Sequence, residues 1–184
     1  MDPLGVGCAK VHPTRQDVVV RVRPAEVEEV AEITRAYLAS WRAGYEGLLA
    51  ADVLDFEGGR RATYDWAAEV RAVSTHVGVA VAADVVLGVV EASDPPGGSR
   101  DLPEITMLYV VPEYWGTGVA SSLLANGVGW IRERGWETAR LRVVERQARV
   151  RRFYEREGWR LDTELEPAHN GFFALVYYRR DLSL

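Results

Sequence analysis

The sequence predicts one domain of the α/β class, in the mixed α+β sense, and three local patterns carry that prediction. Residues 104–111, EITMLYVV, form an apolar run without helical spacing, which is typical of a strand. Residues 116–135 follow it and place their apolar side chains on one helical face. Residues 75–84 and 85–94 are two apolar runs separated by a tight turn, which indicates a β-hairpin. Helices packed on a sheet would bury all three patterns together.

The complete predicted order is β-α-α-β-β-β-α-β-α-β-β, which gives about seven strands and about four helices. The first strand covers residues 17–23, and Pro24 opens the first helix, which runs to about residue 40. Further helical segments are predicted at 49–55, 60–73, 116–135 and 147–157. Further strands are predicted at 75–84, 85–94, 104–111, 139–145, 158–166 and 172–180. The final two strands form an antiparallel pair in this prediction.

Length and composition are those of an ordinary soluble domain: 184 residues, 48% hydrophobic and 27% charged. Residues 1–16 carry two prolines and two glycines and show no periodicity, so they predict a flexible N-terminal tail before a domain over 17–184. Cys8 is the single cysteine, which excludes a disulfide within the chain.

The formal net charge of −5 argues against nucleic acid or an anionic membrane as the main partner, because both favour basic surfaces. No apolar signal segment begins the chain, and the most apolar run, 77–83, is far too short to span a bilayer. We therefore expect a cytoplasmic protein. His12, His76 and His169 lack metal-ligand spacing, so no metal site is predicted.

A glycine-rich turn joins the strand at 104–111 to the helix that follows. In PEYWGTGVASSLL, residues 112–124, Gly116 and Gly118 let a ligand approach the main chain at the helix start. The first turn of a helix offers unpaired N–H groups and a partial positive charge, which favours phosphate. A tight strand-to-helix turn without a ligand explains the glycines equally well. A dinucleotide-binding fingerprint does not fit, because Ser121 occupies its third glycine position.

The stretch LYVVPEYWGTGVASSLL, residues 108–124, resembles the acetyl-CoA-binding core of the GNAT N-acetyltransferase superfamily. The motif of that superfamily is Q/R-x-x-G-x-G/A, and Gly118 and Ala120 match it. Trp115 stands where the superfamily has Gln or Arg. The resemblance implies that main-chain N–H groups hold the pyrophosphate of acetyl-CoA, so this departure leaves the expected site intact.

Two further stretches carry the same resemblance. RQARVRRFYEREGW, residues 146–159, is similar to an N-x-x-A-x-x-x-Y-x-x-x-G-F helix, with Tyr154 and Gly158 in register and Gln147 in place of Asn. Residues 40–54 resemble a W-x-x-x-Y-x-G-L-L stretch of many bacterial members. The resemblance implies a GNAT-like single domain whose central sheet is mixed and mostly antiparallel.

Acetyl transfer to an amine needs a base, because only roughly one part in a thousand of a primary amine is neutral near pH 7. Glu104 lies where part of the superfamily carries its catalytic glutamate, so it is the candidate base. A solvated carboxylate at a strand end explains it equally well. By the same resemblance Tyr154 is the candidate acid that protonates the departing thiolate, with a core aromatic residue as the alternative. His169 is an alternative base.

The resemblance implies a set of residues that contact acetyl-CoA through the turn, the preceding strand and the following helix. They are Leu108, Tyr109, Val110, Trp115, Gly116, Thr117, Gly118, Val119, Ala120, Ser121, Gln147 and Phe153. The superfamily splays its two central strands, so a main-chain amide near Val110 is expected to act as an oxyanion donor. Four arginines of the helix at 147–157 either serve the 3′-phosphate or form a solvated face. They are Arg149, Arg151, Arg152 and Arg156.

The resemblance places the acceptor pocket between the first two helices, at Trp41, Tyr45 and Glu46, and at the last hairpin, near Asn170 to Phe173 and Tyr177. The resemblance implies an acetyl-CoA-dependent N-acetyltransferase that acts by direct attack in a ternary complex, without a metal. Its acceptor is a small-molecule amine or a peptide or protein amine, and a homodimer is possible. The alternatives are an inactive acyl-CoA sensor or scaffold module of the same fold and a generic phosphate-binding domain.

Overall fold

The computed structural model describes residues 19–95 and 101–183, and in this part of the chain five helices pack on one sheet of eight strands. The helices are α1 (Val30–Tyr45), α2 (Ala51–Arg61), α3 (Trp66–Arg71), α4 (Val119–Glu133) and α5 (Ala148–Arg156). The strands are β1 (Arg21–Pro24), β2 (Thr75–Ala82), β3 (Val85–Ser93), β4 (Glu104–Val110), β5 (Thr138–Val144), β6 (Arg160–Leu161), β7 (Ala168–His169) and β8 (Ala174–Asp181). The predicted tail 1–16 lies outside the described residues.

The strands are ordered β1-β2-β3-β4-β5-β8-β6, and β7 pairs with β8 off this path. Every neighbouring pair is antiparallel except β4 and β5, which run parallel. The predicted mixed and mostly antiparallel sheet is therefore confirmed. The connection from β4 to β5 runs through α4, as a crossover between parallel strands requires.

The start of the chain differs from the prediction at Pro24. Pro24 ends β1 instead of opening a helix, and β1 is an edge strand, where proline does no harm to the ladder. The helix begins later, after a 3₁₀ turn at Val27–Glu29. Glu29 stabilises this start by accepting from the Glu26 main-chain N–H at 2.9 Å and from both terminal nitrogens of Arg23.

Three helices precede β2. This number agrees with the three helical segments predicted before residue 75, although the predicted order contains only two helices there. The segment predicted as one helix over 60–73 is divided, because α2 continues to Arg61 and α3 begins anew at Trp66. Asp65 caps α3 by accepting from the Ala68 N–H at 3.0 Å. The predicted long strand at 158–166 is also wrong, since only the two residues of β6 pair there.

The sheet has two covered faces. On the α4 face, α4 and α5 pack on a core that includes Leu123, Leu124, Ile131, Leu141, Trp159 and Tyr178. On the α1 face, the first three helices cover a second core that includes Ile33, Tyr37, Trp41, Trp66, Val79 and Val89. Among the described residues, no helix is both long and apolar enough to cross a membrane.

Candidate active site

The two central strands of the sheet separate after a short pairing. β4 and β5 pair only at Glu104↔Arg140 and Ile105↔Leu141, although β4 continues to Val110 and β5 to Val144. A wedge therefore opens between residues 106–110 of β4 and the end of β5. It widens toward the carboxyl ends of both strands, where α4 and α5 begin.

The main-chain N–H and C=O groups of alternate β4 residues face this wedge. Val111 N–H donates to Leu87 O of the β3 side at 2.8 Å, so the alternation of an antiparallel pair directs Leu108 and Val110 away from β3. Tyr109 lies opposite Val89, and its main-chain N–H and C=O groups form hydrogen bonds with β3. Of the three β4 residues predicted to contact acetyl-CoA, only Leu108 and Val110 present main-chain groups to the wedge.

Side chains of the protein occupy both main-chain groups of Val110. The Val110 N–H donates to Ser40 Oγ of α1 at 3.1 Å, and the Val110 carbonyl accepts from the Trp115 indole at 2.6 Å. Ser40 is buried. The Val110 amide, which was expected to act as an oxyanion donor, is thus already bonded to a hydroxyl. The main-chain groups that remain available in the wedge are those of Leu108.

The glycine turn forms the mouth of the wedge, just before α4. Gly116 and Gly118 adopt positive φ angles of 80° and 90°, which L side chains rarely adopt, and a Cβ on either would meet no atom within 4 Å. The first helical bond of α4 is Ser122 N–H to Gly118 O at 3.0 Å. Main-chain N–H groups before Ser122 have no acceptor within the helix, so this mouth suits an anion.

Three side chains at the mouth already have partners in the chain. Thr117 Oγ1 donates to Tyr114 O at 2.7 Å, which holds the turn together. Ser121 Oγ donates to a carboxylate oxygen of Glu157 at 2.6 Å and so ties the first turn of α4 to the end of α5. Gln147, the N-cap residue of α5, donates to Gly44 O of α1 at 3.1 Å. All three therefore shape the mouth in the structure.

Tyr154 of α5 is buried on the α4 face beside the wedge. Its ring lies edge-on to Phe153 at 5.1 Å and to Trp159 at 6.2 Å. Among the described residues, its hydroxyl has no hydrogen-bond partner. Burial raises the pKa of Tyr154, and the nearby hydroxyl of Tyr45 raises it further, so the phenol stays protonated at physiological pH.

A family model described as acetyltransferase (GNAT) family matches residues 31–159, well over half of the chain. The chain belongs to the GNAT acetyltransferase family. The resemblance recognised in the sequence is therefore confirmed, and so is the wider assignment to the acyltransferases. No curated protein sequence matches at a significant level.

Solved structures share the fold at low sequence identity. A PaiA N-acetyltransferase from Thermoplasma acidophilum, in complex with coenzyme A, is 16% identical with a TM-score of 0.75, covering 89% of this chain and 99% of its own. Ard1 from Thermoplasma volcanium is 18% identical with a TM-score of 0.60, covering 90% and 99%. A nourseothricin acetyltransferase is 26% identical with a TM-score of 0.51, covering 60% and 67%.

On the α1 face, this GNAT acetyltransferase builds an aromatic wall from α1, β4 and the segment before β8. Trp41 and Tyr45 stack with ring centroids 5.3 Å apart, Tyr45 meets Phe173 at 5.8 Å, and Tyr37 meets Tyr109 edge-on at 4.8 Å. Burial raises the pKa of Tyr45 and that of Tyr109. The wall comprises Tyr37, Trp41, Tyr45, Tyr109 and Phe173, three of which, Trp41, Tyr45 and Phe173, were predicted for the acceptor pocket.

The remaining predicted acceptor residues lie elsewhere. Glu46 is exposed beyond the end of α1. Tyr177 lines a cavity of about 220 Å³ together with Glu104, Arg140 and Arg142. Trp41 is almost fully buried, at 1% exposure, so its packing role in the core is observed directly.

Glu104 is held by two arginines at the closed end of the wedge. Its carboxylate accepts from Arg142 Nε at 2.6 Å and lies 3.9 Å from Arg140 Nη2, whose guanidinium sits over the Tyr177 ring at 5.4 Å. Glu104 and Tyr109 are five residues apart along β4, roughly 16 Å at a strand rise of about 3.3 Å per residue. The structure therefore joins Glu104 to Tyr177 but separates it from the aromatic wall.

Sequence reasoning missed Arg61, the last residue of α2. Its guanidinium lies 4.8 Å from the Trp41 ring centroid, and Nη1 donates to the Tyr37 hydroxyl at 3.0 Å. The nearest carboxylate oxygen, of Glu57, is 4.0 Å from Nη2. An arginine at a helix end gives no signal of this placement, which depends on how α2 packs against α1.

Sequence reasoning also missed Glu91, although a glutamate inside the apolar run VVLGVVEAS was a visible signal. Glu91 is 4% exposed and accepts from the Tyr64 hydroxyl at 2.7 Å and from Thr106 Oγ1 at 2.5 Å. Burial raises the pKa of its carboxyl. The register between β3 and β4 shifts at this point, so Glu91 fixes the bulge that Thr106 makes beside the wedge.

Proposed function

We propose that the protein transfers an acetyl group from acetyl-CoA to a primary amine while both are bound together. The observation that carries this proposal is the wedge between β4 and β5, whose mouth is a glycine turn at the start of α4. Membership of the GNAT family supports it, and so does the coenzyme A found with the PaiA neighbour.

The residues at the wedge fit coenzyme A. Open space at Gly116 and Gly118 admits a pyrophosphate to the N–H groups of Val119 and Ala120. The main-chain N–H and C=O groups of Leu108 can hydrogen-bond to the amides of the pantetheine arm, as they would to a neighbouring β-strand. The remaining predicted contacts surround the same path. They are Tyr109, Val110, Trp115, Thr117, Ser121, Gln147 and Phe153.

Two groups of the chain handle the protons in this proposal. Glu104 takes one proton from the ammonium, and the neutral amine nitrogen bonds to the thioester carbonyl carbon. The carbon–sulfur bond breaks, Tyr154 gives a proton to the thiolate, and the second nitrogen proton returns to Tyr154 as the amide forms. Arg142 occupies one oxygen of the Glu104 carboxylate, so the other oxygen accepts the proton in this proposal. The Tyr154 hydroxyl has no hydrogen-bond partner among the described residues, so it is free to donate to the sulfur.

The acceptor is proposed to lie on the α1 face, between the aromatic wall and the cavity that holds Glu104 and Tyr177. An aromatic surface suits the apolar body of an amine. A small-molecule amine and a peptide or protein amine both remain in the proposal. The nourseothricin acetyltransferase neighbour is named for its acceptor, but its 26% identity over 60% of this chain does not decide the acceptor here. The cytoplasmic location and the homodimer stay predictions.

Thermal unfolding with acetyl-CoA, CoA and ADP tests the first step. A ligand at about one hundred times its Kd adds about 2.7 kcal/mol, which raises the Tm of a chain this long by roughly 5 to 10 °C. Acetyl-CoA and CoA should give this shift and ADP a smaller one. No shift with acetyl-CoA would overturn the proposed function.

Thiol release against a panel of amines tests the chemistry. Tyr154→Phe and Glu104→Gln should lower kcat by roughly 10²- to 10⁴-fold with little change in the Kd of CoA. Glu164→Gln is the matched control, because Glu164 pairs with an arginine at the surface, 76% exposed. Binding of acetyl-CoA without turnover of any amine would instead support the sensor or scaffold alternative.

A further inference from the structure

Arg149 is fixed at the mouth of the wedge by a tryptophan. Its guanidinium carbon lies 4.0 Å from the centroid of the Trp115 ring, a cation–π distance. The indole is itself held, because its N–H donates to Val110 O at 2.6 Å. The guanidinium is therefore held at the end of β4, beside the glycine turn, although Arg149 is an exposed residue of a surface helix.

The charge of Arg149 is unfavourable where it stands. It belongs to the first turn of α5, where the helix dipole is positive, and the positive start of α4 lies across the mouth. No carboxylate lies within 4 Å of Arg149 in the part of the chain that the structure describes. The Glu157 carboxylate, which reaches the first turn of α4, accepts from Ser121 instead.

A neighbouring arginine on the same helix shows the contrast. Arg151 donates to the Tyr178 hydroxyl at 3.0 Å, and that hydroxyl donates to Glu155, so the charge of Arg151 is balanced within the protein. At the mouth, the starts of α4 and α5 meet the Arg149 guanidinium, which no carboxylate of the described residues balances. An anion bound there would remove the repulsion among them.

We propose that Arg149 binds a phosphate group of coenzyme A and that Trp115 holds its guanidinium in place for that contact; this rests on the proposed function. A guanidinium stacked by one face on an aromatic ring keeps its N–H edge free for two phosphate oxygens. The chain has Trp115 where a GNAT motif carries Gln or Arg in the loop, so the cation is supplied from α5 instead.

Calorimetric binding of CoA, dephospho-CoA and pantetheine to the full chain tests this assignment. Arg149→Gln should weaken CoA binding by roughly 10- to 100-fold, the range of a hydrogen bond to a charged group, and leave pantetheine binding within about twofold. Arg149→Lys should fall between, because an ammonium keeps the charge but loses the planar pair of donors. Arg132→Gln is the matched control, an exposed arginine in the last turn of α4, at the opposite end of that helix from the mouth.

Comparison of CoA with dephospho-CoA shows which phosphate group Arg149 contacts. An equal loss for CoA and dephospho-CoA assigns Arg149 to the pyrophosphate, and a loss for CoA alone assigns it to the 3′-phosphate. Wild-type affinity for CoA in Arg149→Gln would overturn the proposal. An equal loss in Arg132→Gln, or an equal loss for pantetheine, would overturn it too. Failure of the wild-type chain to bind CoA would instead overturn the proposed function itself.

Discussion

The mouth of the wedge and the α1 face are built in different ways. The mouth comes from one continuous stretch, residues 110–121, together with the first turn of α5, and its binding groups are mainly main-chain N–H groups. The aromatic wall on the α1 face collects side chains from α1, β4 and the segment before β8. A glycine and a helix start define the first region, whereas tertiary packing defines the second.

This difference explains why the co-substrate can be inferred more closely than the acceptor. A phosphate group is recognised by backbone geometry, which a short sequence pattern fixes. An acceptor is recognised by side chains that neighbour one another only in the fold. The mouth therefore fits the phosphate groups of coenzyme A, whereas the α1 face indicates only that the proposed acceptor is an amine with an apolar body.

Gly118→Ala is the change expected to damage the mouth most. At a φ of 90° an L residue is strained by roughly 1 to 2 kcal/mol, and relief of that strain moves the start of α4. We expect CoA binding to weaken by at least tenfold and the Tm to fall by several degrees. Calorimetry and thermal unfolding measure both.

Gly129→Ala is the matched control on the same helix. Gly129 has no positive φ, and a Cβ there meets no atom within 4 Å. The substitution should stabilise α4 by about 0.5 to 1 kcal/mol and leave CoA affinity unchanged. If both alanines weaken CoA equally, the conformation of the turn is not what binds the phosphates.

Most of the fold was visible in the sequence, because apolar periodicity located β2 to β5, α4 and α5 to within a few residues. The break between α2 and α3 was missed because the helical pattern hides the cap at Asp65. The mouth was found through Gly116 and Gly118. The contact of Ser40 with Val110 was not, because it joins residues seventy positions apart.

Ser40→Ala tests whether the α1 face reaches into the wedge. Loss of the hydroxyl leaves the Val110 N–H without its partner, which should cost about 1 to 3 kcal/mol of unfolding free energy. The freed N–H faces the wedge, so acetyl-CoA should stabilise Ser40→Ala more than it stabilises the wild-type chain. Thermal shifts with and without acetyl-CoA measure the difference.

Thr34→Ala is the control for Ser40→Ala, because the Thr34 hydroxyl bonds only within α1, to Val30 O at 2.8 Å. Its stabilisation by acetyl-CoA should match that of the wild type. An identical acetyl-CoA shift in Ser40→Ala would mean that the Val110 N–H does not contact the ligand and that the two regions are independent.

Glu91→Gln makes the smallest expected change and tests the α1 face alone. Burial raises the pKa of Glu91 above 4.5, so the native state binds its proton more tightly than the unfolded state does. As pH rises from 4.5 through the native pKa, this carboxyl therefore lowers the free energy of unfolding. Denaturant titrations at a series of pH values should show Glu91→Gln gaining stability relative to wild type over that interval.

The slope with pH decides this last test. The amide also disturbs the bonds from Tyr64 and Thr106, but that cost does not vary with pH, so it shifts the whole curve without changing its slope. Glu164→Gln should follow the wild-type curve, since Glu164 is exposed. Equal slopes for Glu91→Gln and wild type would show that the Glu91 carboxyl is hydrated in solution. Glu91 would then not be a buried group that holds the bulge at Thr106 in place.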